Sequence, residues 1–145
     1  MTEFWTSPHG GTQARIGGLL RLARRSVHLM MYELKAIPLM IELAHAAERG
    51  LHVEVVLDKR VNMPPCSVTM QMKHSGCIIW IDGAHNIHHN KLCVIDSDIV
   101  ITGSYNWTQP AETDHAENIV IMEDGALAAK IIEDLIGHTK HSTKL

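Results

Sequence analysis

The stretch from His89 to Asn106 constrains this chain more than any other. Lys91-Leu92-Cys93-Val94-Ile95 and Ile99-Val100-Ile101-Thr102 are short, apolar and β-branched, and Asp96-Ser97-Asp98 between them is turn composition. This pattern predicts a β-hairpin. Side chains two apart on a strand share a face, so His89 and Lys91 should project together at the start of the first run, with Gly103-Ser104 ending the second run near the same edge. The polar residues of the hairpin are regularly spaced: His89-x-Lys91-x4-Asp96, then Gly103-Ser104-x-Asn106. An imidazole can attack phosphorus, an ammonium can hold a phosphate oxygen, and Ser and Asn can donate hydrogen bonds to the charge that builds in the transition state. The set therefore reads as a phosphoryl-transfer site, with His89, Lys91, Ser104 and Asn106 catalytic and Lys91 and Asn106 also gripping substrate. Gly103 is expected to let the backbone approach a phosphate. Asp96 lies in the turn, away from that edge, and is expected to satisfy backbone groups or a basic neighbour.

The rest of the chain alternates helical and strand patterns. Ile16, Leu19, Leu20 and Ala23 recur at helical spacing between Thr12, a candidate N-cap, and Ser26; residues 27–32 then read as a buried strand. Pro38 suits a first helical turn, and the stripe Leu39, Met40, Leu43, Ala44, Ala47 stops at Gly50, a C-terminal cap. Strands are expected at 52–57, 77–80 and 118–122, and a short helix at 67–74 after Pro64-Pro65. A C-terminal helix should turn Leu127, Ile131, Leu135 and Ile136 inward. This order predicts an α/β fold, a mixed β-sheet sandwiched by helices.

At 145 residues with 46% hydrophobic content, one core and a single domain spanning residues 1–145 are expected. No apolar run reaches the length of a membrane span and the N-terminus has no secretory pattern, so the expectation is a cytoplasmic protein without a membrane anchor. Three cysteines without CxxC spacing argue against a disulfide framework. The net charge of −3 excludes an enveloping basic field, so nucleic acid would need a local patch. Arg15, Arg21, Arg24 and Arg25 lie along the first helix, where a solvated face is the simpler reading for Arg21 and Arg24. Lys59 and Arg60 follow the second strand, where α/β folds meet ligands, and are assigned to substrate binding. Eleven histidines raise the question of a metal. Adjacent His88 and His89 would diverge on a strand, and Cys66, His74 and Cys77 lack a convincing fourth ligand beyond Cys93, so no metal and no cofactor are expected. His88 is placed at the mouth of the site. Tyr105 and Trp107, flanking Asn106, are expected to pack rather than stack on bases.

These residues resemble the signature of the phospholipase D superfamily, the HKD motif. Thr6-Ser7-Pro8, Met30-Met31-Tyr32, residues 50–58, Ala111-Glu112 and Glu117-Asn118 extend the similarity over nearly the whole chain toward the small bacterial endonucleases of that superfamily. Residues 103–108 also resemble the mitochondrial cardiolipin hydrolase branch, whose N-terminal anchor and Cys/His-rich insertion are not found here. The resemblance implies a phospholipase D-like fold with one HKD motif per chain. It also gives Glu117 a catalytic role, orienting the imidazole, and makes Asp96 structural. The superfamily's site uses two motifs, since one imidazole attacks while a second protonates the leaving group. With one copy present, a homodimer is implied. The expected activity is metal-independent cleavage of DNA or RNA through a phosphohistidine. A phospholipid phosphodiesterase or an inactive nucleic-acid-binding protein are the alternatives; Phe4-Trp5 is the one exposed-looking apolar segment that could serve a lipid.

Overall fold

The computed structural model describes residues 1–145. In chain order the elements are β1 (Thr2–Ser7), α1 (Thr12–Leu22), β2 (Ser26–Met31), α2 (Ile37–Glu48), β3 (His52–Asp58), α3 (Lys59–Asn62), α4 (Ser67–His74), β4 (Ile78–Asp82), β5 (Lys91–Ile95), β6 (Ile99–Gly103), α5 (Gln109–Thr113), β7 (Glu117–Glu123), α6 (Gly125–Thr139) and β8 (Thr143–Lys144). All eight strands join one sheet, ordered β1-β7-β6-β5-β2-β3-β4-β8. The β2-β3 and β3-β4 pairs are parallel and the others antiparallel, so the mixed sheet expected from the alternation is present.

Helices cover both faces. On one, Ile16, Leu20, Leu39, Leu43 and Met72 of α1, α2 and α4 bury against Val27, Leu29, Val55, Ile79, Cys93 and Ile121. On the other, α6 lays Leu135 over Met30 and Val56, and Ala128 over Val94 and Val100. Each fully buried Val, Leu or Ile contributes about 1.5–3 kcal/mol by leaving water. Because the two sides of a strand alternate, Lys91, Cys93 and Ile95 face α1 and α2, while Leu92 and Val94 face α6. Ile136, expected inside, is 48% exposed: one residue past Leu135, it has rotated about 100° off the buried stripe.

The punctuation of the helices follows local chemistry. Pro38 sits in the first turn of α2, and Gly50, at φ 89, follows its last turn while Gly50 and Leu51 donate back to Ala47 and Ala46. Thr12 is not the N-cap of α1. That position is Gly11, and the Thr12 hydroxyl donates instead to the Thr6 carbonyl at 2.7 Å, tying the helix to β1.

The β5-β6 hairpin closes through Asp96 and Ser97, both with positive φ, and Asp98 N–H donates to the Ile95 carbonyl. Asp96 turns its carboxylate back onto the chain before β2, accepting from the N–H groups of Arg24, Arg25 and Ser26 at 2.7–3.1 Å. Partial burial opposes ionisation, but those three N–H groups and the Arg25 charge outweigh it and hold the carboxyl below its ordinary value. Asp96→Asn keeps the size and the tolerance for positive φ but loses the charge. It should cost about 1–2 kcal/mol in urea denaturation at pH 7. Because the folded-state value is lowered, the wild-type advantage is complete above about pH 4 and should vanish as pH falls through the folded-state value.

Candidate active site

The register sets every implicated residue along one edge of the sheet. Lys91 pairs with Met31 at the end of β2, Gly103 with Ile119 near the start of β7, and Ser7 with Glu117, while β3 and β4 end together at Asp58 and Asp82. The turns at Gly50, Gly76 and Asp96–Asp98 lie at the opposite edge.

His89 precedes β5 and is exposed; its ring meets the edge of Tyr32 at 4.9 Å between centroids. Lys91 Nζ donates to the His89 carbonyl at 2.9 Å and lies 5.6 Å from the centre of the Tyr32 ring. Partial burial pulls the ammonium below its ordinary value, and the Glu117 carboxylate pulls the other way. Glu117 starts β7 on the face that carries Lys91 and stands 3.9 Å from His115 Nδ1. Within the single chain it makes no hydrogen bond to His89.

Ser104 accepts the Asn118 N–H on its Oγ at 3.1 Å, which leaves the hydroxyl proton free to be donated. The Asn106 Oδ1 is buried without a hydrogen-bond partner in the chain. Asn106 is held between Tyr105 and Trp107, both buried as expected. Tyr105 Oη donates to Glu112 at 2.8 Å, and the Trp107 carbonyl accepts from Lys35 and Ala36. Gly103 also has a reason within the fold itself. A Cβ there would stand 2.1 Å from the Asn118 carbonyl oxygen and 2.8 Å from Ile119 Cα, so glycine lets β6 press against β7.

Two buried residues that sequence reasoning passed over hold this edge. Asn62 donates to the carbonyls of Tyr32 and Asp58, both at 2.7 Å, and accepts from Leu34 N–H at 3.1 Å, fixing the turn that presents Tyr32 to His89. Asp58 accepts from Arg60 N–H on one oxygen and from His88 N–H on the other, so α3 and the His88-His89 segment share an anchor. Lys59 and Arg60 are exposed beside it, and Arg60 also reaches Asn86 at 2.7 Å. The arginines of α1 are less available: Arg15 pairs with Glu3 and Arg21 with Glu42, each at 2.6 Å.

His88 does not stand at the mouth of the site. It diverges from His89 as strand geometry required, is 2% exposed, and bonds Asp82 at 2.9 Å under α6. The three cysteines are free; burial pushes Cys77 up to about 12. A grouping the sequence did not reveal surrounds Asp82, where His85, His138 and His141 converge with His88. Its signal was a pair of matched spacings, Asp82-x2-His85 and His138-x2-His141, more than fifty residues apart.

A family model described as "Cardiolipin synthase, PLD-like domain" matches residues 17–138. Among curated proteins, "Phospholipase D" of Rickettsia bellii is 31% identical over 130 residues, covering 90% of this chain and 64% of its own length. "Mitochondrial cardiolipin hydrolase" of Canis lupus familiaris is 29% identical, with 88% and 50% covered. The chain thus spans less than two thirds of the length of these relatives. Among solved structures, Nuc from Salmonella typhimurium, described as a phospholipase D family member, superposes with a TM-score of 0.93 at 29% identity over 100% of this chain and 97% of that one. NucT from Helicobacter pylori gives 0.86 at 17% identity, a likeness of fold, over 100% and 99%.

Proposed function

Because the chain belongs to the phospholipase D-like family, we propose that it is a metal-independent phosphodiesterase cleaving nucleic acid at a site shared by two copies. One observation carries the reading: three separate segments bring His89 and Lys91, Ser104 and Asn106, and Glu117 to one sheet edge, yet none of these residues lines any of the three concavities of the single chain. A second copy facing this edge would close the cleft and supply the second imidazole.

In that site one His89 attacks phosphorus, forming a P–N bond as the P–O ester bond breaks, and the other His89 gives its proton to the departing alkoxide. The same group, now a base, takes a proton from water, whose oxygen displaces the first imidazole and releases the phosphate monoester. Glu117 orients the attacking ring. Lys91, Ser104 and Asn106 of both copies surround the phosphoryl oxygens with charge and donors already in place. Lys59 and Arg60, on the same edge, extend the phosphate grip along a polymer. No helix is long and apolar enough to cross a membrane. Exposed apolar side chains such as Phe4 on β1 and Ile87 just before His88-His89 are the features that favour a lipid surface.

The deciding assay presents labelled DNA, RNA and cardiolipin vesicles to the protein in EDTA at 20 °C. Nucleic acid should be cut with chelator present, and binding should weaken steeply with salt as phosphate contacts release counterions. Hydrolysis of the vesicles with both nucleic acids intact would transfer the same chemistry to lipid. Dependence on added metal would end the mechanism.

A further inference from the structure

On the α6 side of the active edge, Asp82 is fully buried and its Oδ2 is approached by four imidazole nitrogens. His85 Nδ1 stands at 2.8 Å, His88 Nδ1 at 2.9 Å, His141 Nε2 at 3.3 Å and His138 Nδ1 at 3.6 Å. A carboxylate oxygen offers about two acceptor positions. The other oxygen, Oδ1, already accepts the N–H groups of Ala84 and His85. Four nitrogens crowding one oxygen therefore exceed what hydrogen bonding alone can satisfy. His138 Nδ1 and His141 Nε2 also face each other at 3.4 Å.

We propose that Asp82, His85, His138 and His141 form a structural zinc site. In a tetrahedral zinc centre with bonds near 2.0–2.1 Å, neighbouring donors lie about 3.3 Å apart. The separations of 2.8, 3.3, 3.4 and 3.6 Å here bracket that spacing, and all four donor atoms lie within 4.8 Å of one another. Three imidazoles and one carboxylate are a donor set zinc accepts.

The surroundings are built for it. His138 Nε2 faces Asp134 Oδ2 at 3.4 Å, the outer carboxylate that directs the lone pair of a ligating histidine toward its metal. Asn90 Nδ2 lies 3.5 Å from His88 Nε2, so His88 presents its Nδ1–H to Asp82 and acts as an outer support rather than a ligand. A polar concavity of about 400 Å³, lined by Asp58, Lys59, Arg60, Asp82 and His85 among others, opens the site to solvent.

Four protein ligands leave no open position, so the ion is structural and takes no part in phosphoryl transfer. It joins residues 82–85 to residues 138–141, clamping the end of α6 and the two-residue strand β8 to the loop that leads into His89. Chelation should therefore loosen the fold without stopping chemistry at low temperature.

The test uses the untagged full chain, stripped with EDTA and desalted. Calorimetric titration with zinc should reach one ion per chain, zinc should raise Tm by roughly 5 °C or more over EDTA, and cobalt in its place should give the visible absorption of a tetrahedral centre. Asp134→Asn should weaken zinc affinity by about 10–100-fold. His138→Ala/His141→Ala should abolish stoichiometric binding. Less than half an ion per chain at saturating zinc, a Tm indifferent to zinc, or undiminished binding by the double variant would overturn the proposal. If the double variant does not fold, the wild-type stoichiometry and Asp134→Asn decide.

Discussion

His89→Ala should lower the rate of phosphodiester cleavage by about 10⁴-fold or more, because the nucleophile and the acid are lost together from the proposed two-copy site. His89 is exposed and touches little besides the Tyr32 ring, so the variant's melting temperature should stay near the wild-type value. The same substitution reports on stoichiometry. If wild-type and His89→Ala subunits are mixed by unfolding and refolding, a mixed dimer holds one imidazole and is inactive, so activity should fall as the square of the wild-type fraction. A linear fall would give each chain a complete site and would require a general acid other than His88, which is buried against Asp82.

Lys91→Met should reduce kcat by about 10²–10³-fold, and more if both copies contribute to the same transition state. The physical reason lies in how this ammonium is held. It is half-buried, its side-chain hydrogen bond goes to the His89 carbonyl, and the nearby Glu117 charge only partly offsets its desolvation. A cation held this way is costly to the fold and strongly attractive to a phosphoryl oxygen. Replacing it with an apolar chain of similar length should leave stability unchanged or higher. A parallel loss of activity and of Tm would show that Lys91 holds the edge together and would remove it from the charge stabilisation.

The central hairpin could be read from sequence because its information is local. Asp96 and Ser97 tolerate positive φ, the flanking runs are β-branched, and the two-residue period carries Lys91 and Cys93 to one face. The α2 stripe with Pro38 and Gly50 was legible for the same reason. β1 was not, since Thr2–Ser7 is polar apart from the adjacent Phe4-Trp5, has little burial and exists as a strand chiefly through pairing with β7. α5 is five residues capped by the Thr108 hydroxyl, too short to show a period. The roles of Asn62 and Asp58 depend on three carbonyl and N–H partners up to thirty residues away, and no spacing rule points to them. The Asp82 cluster failed to emerge because nothing local says that the end of β4 meets the end of α6. Each spacing of three was ordinary by itself.

The polarity of the sheet, with the candidate site residues at one end of the strands and tight turns at the other, gives an experimenter a handle. β5 is five residues long, so its two ends lie roughly 17 Å apart. Lys73 is exposed at the end of α4, next to the Gly76 turn on the quiet edge. A dye, a surface tether or a force-spectroscopy handle attached there would leave the opposite edge facing outward, free to meet a second molecule or a strand of polymer.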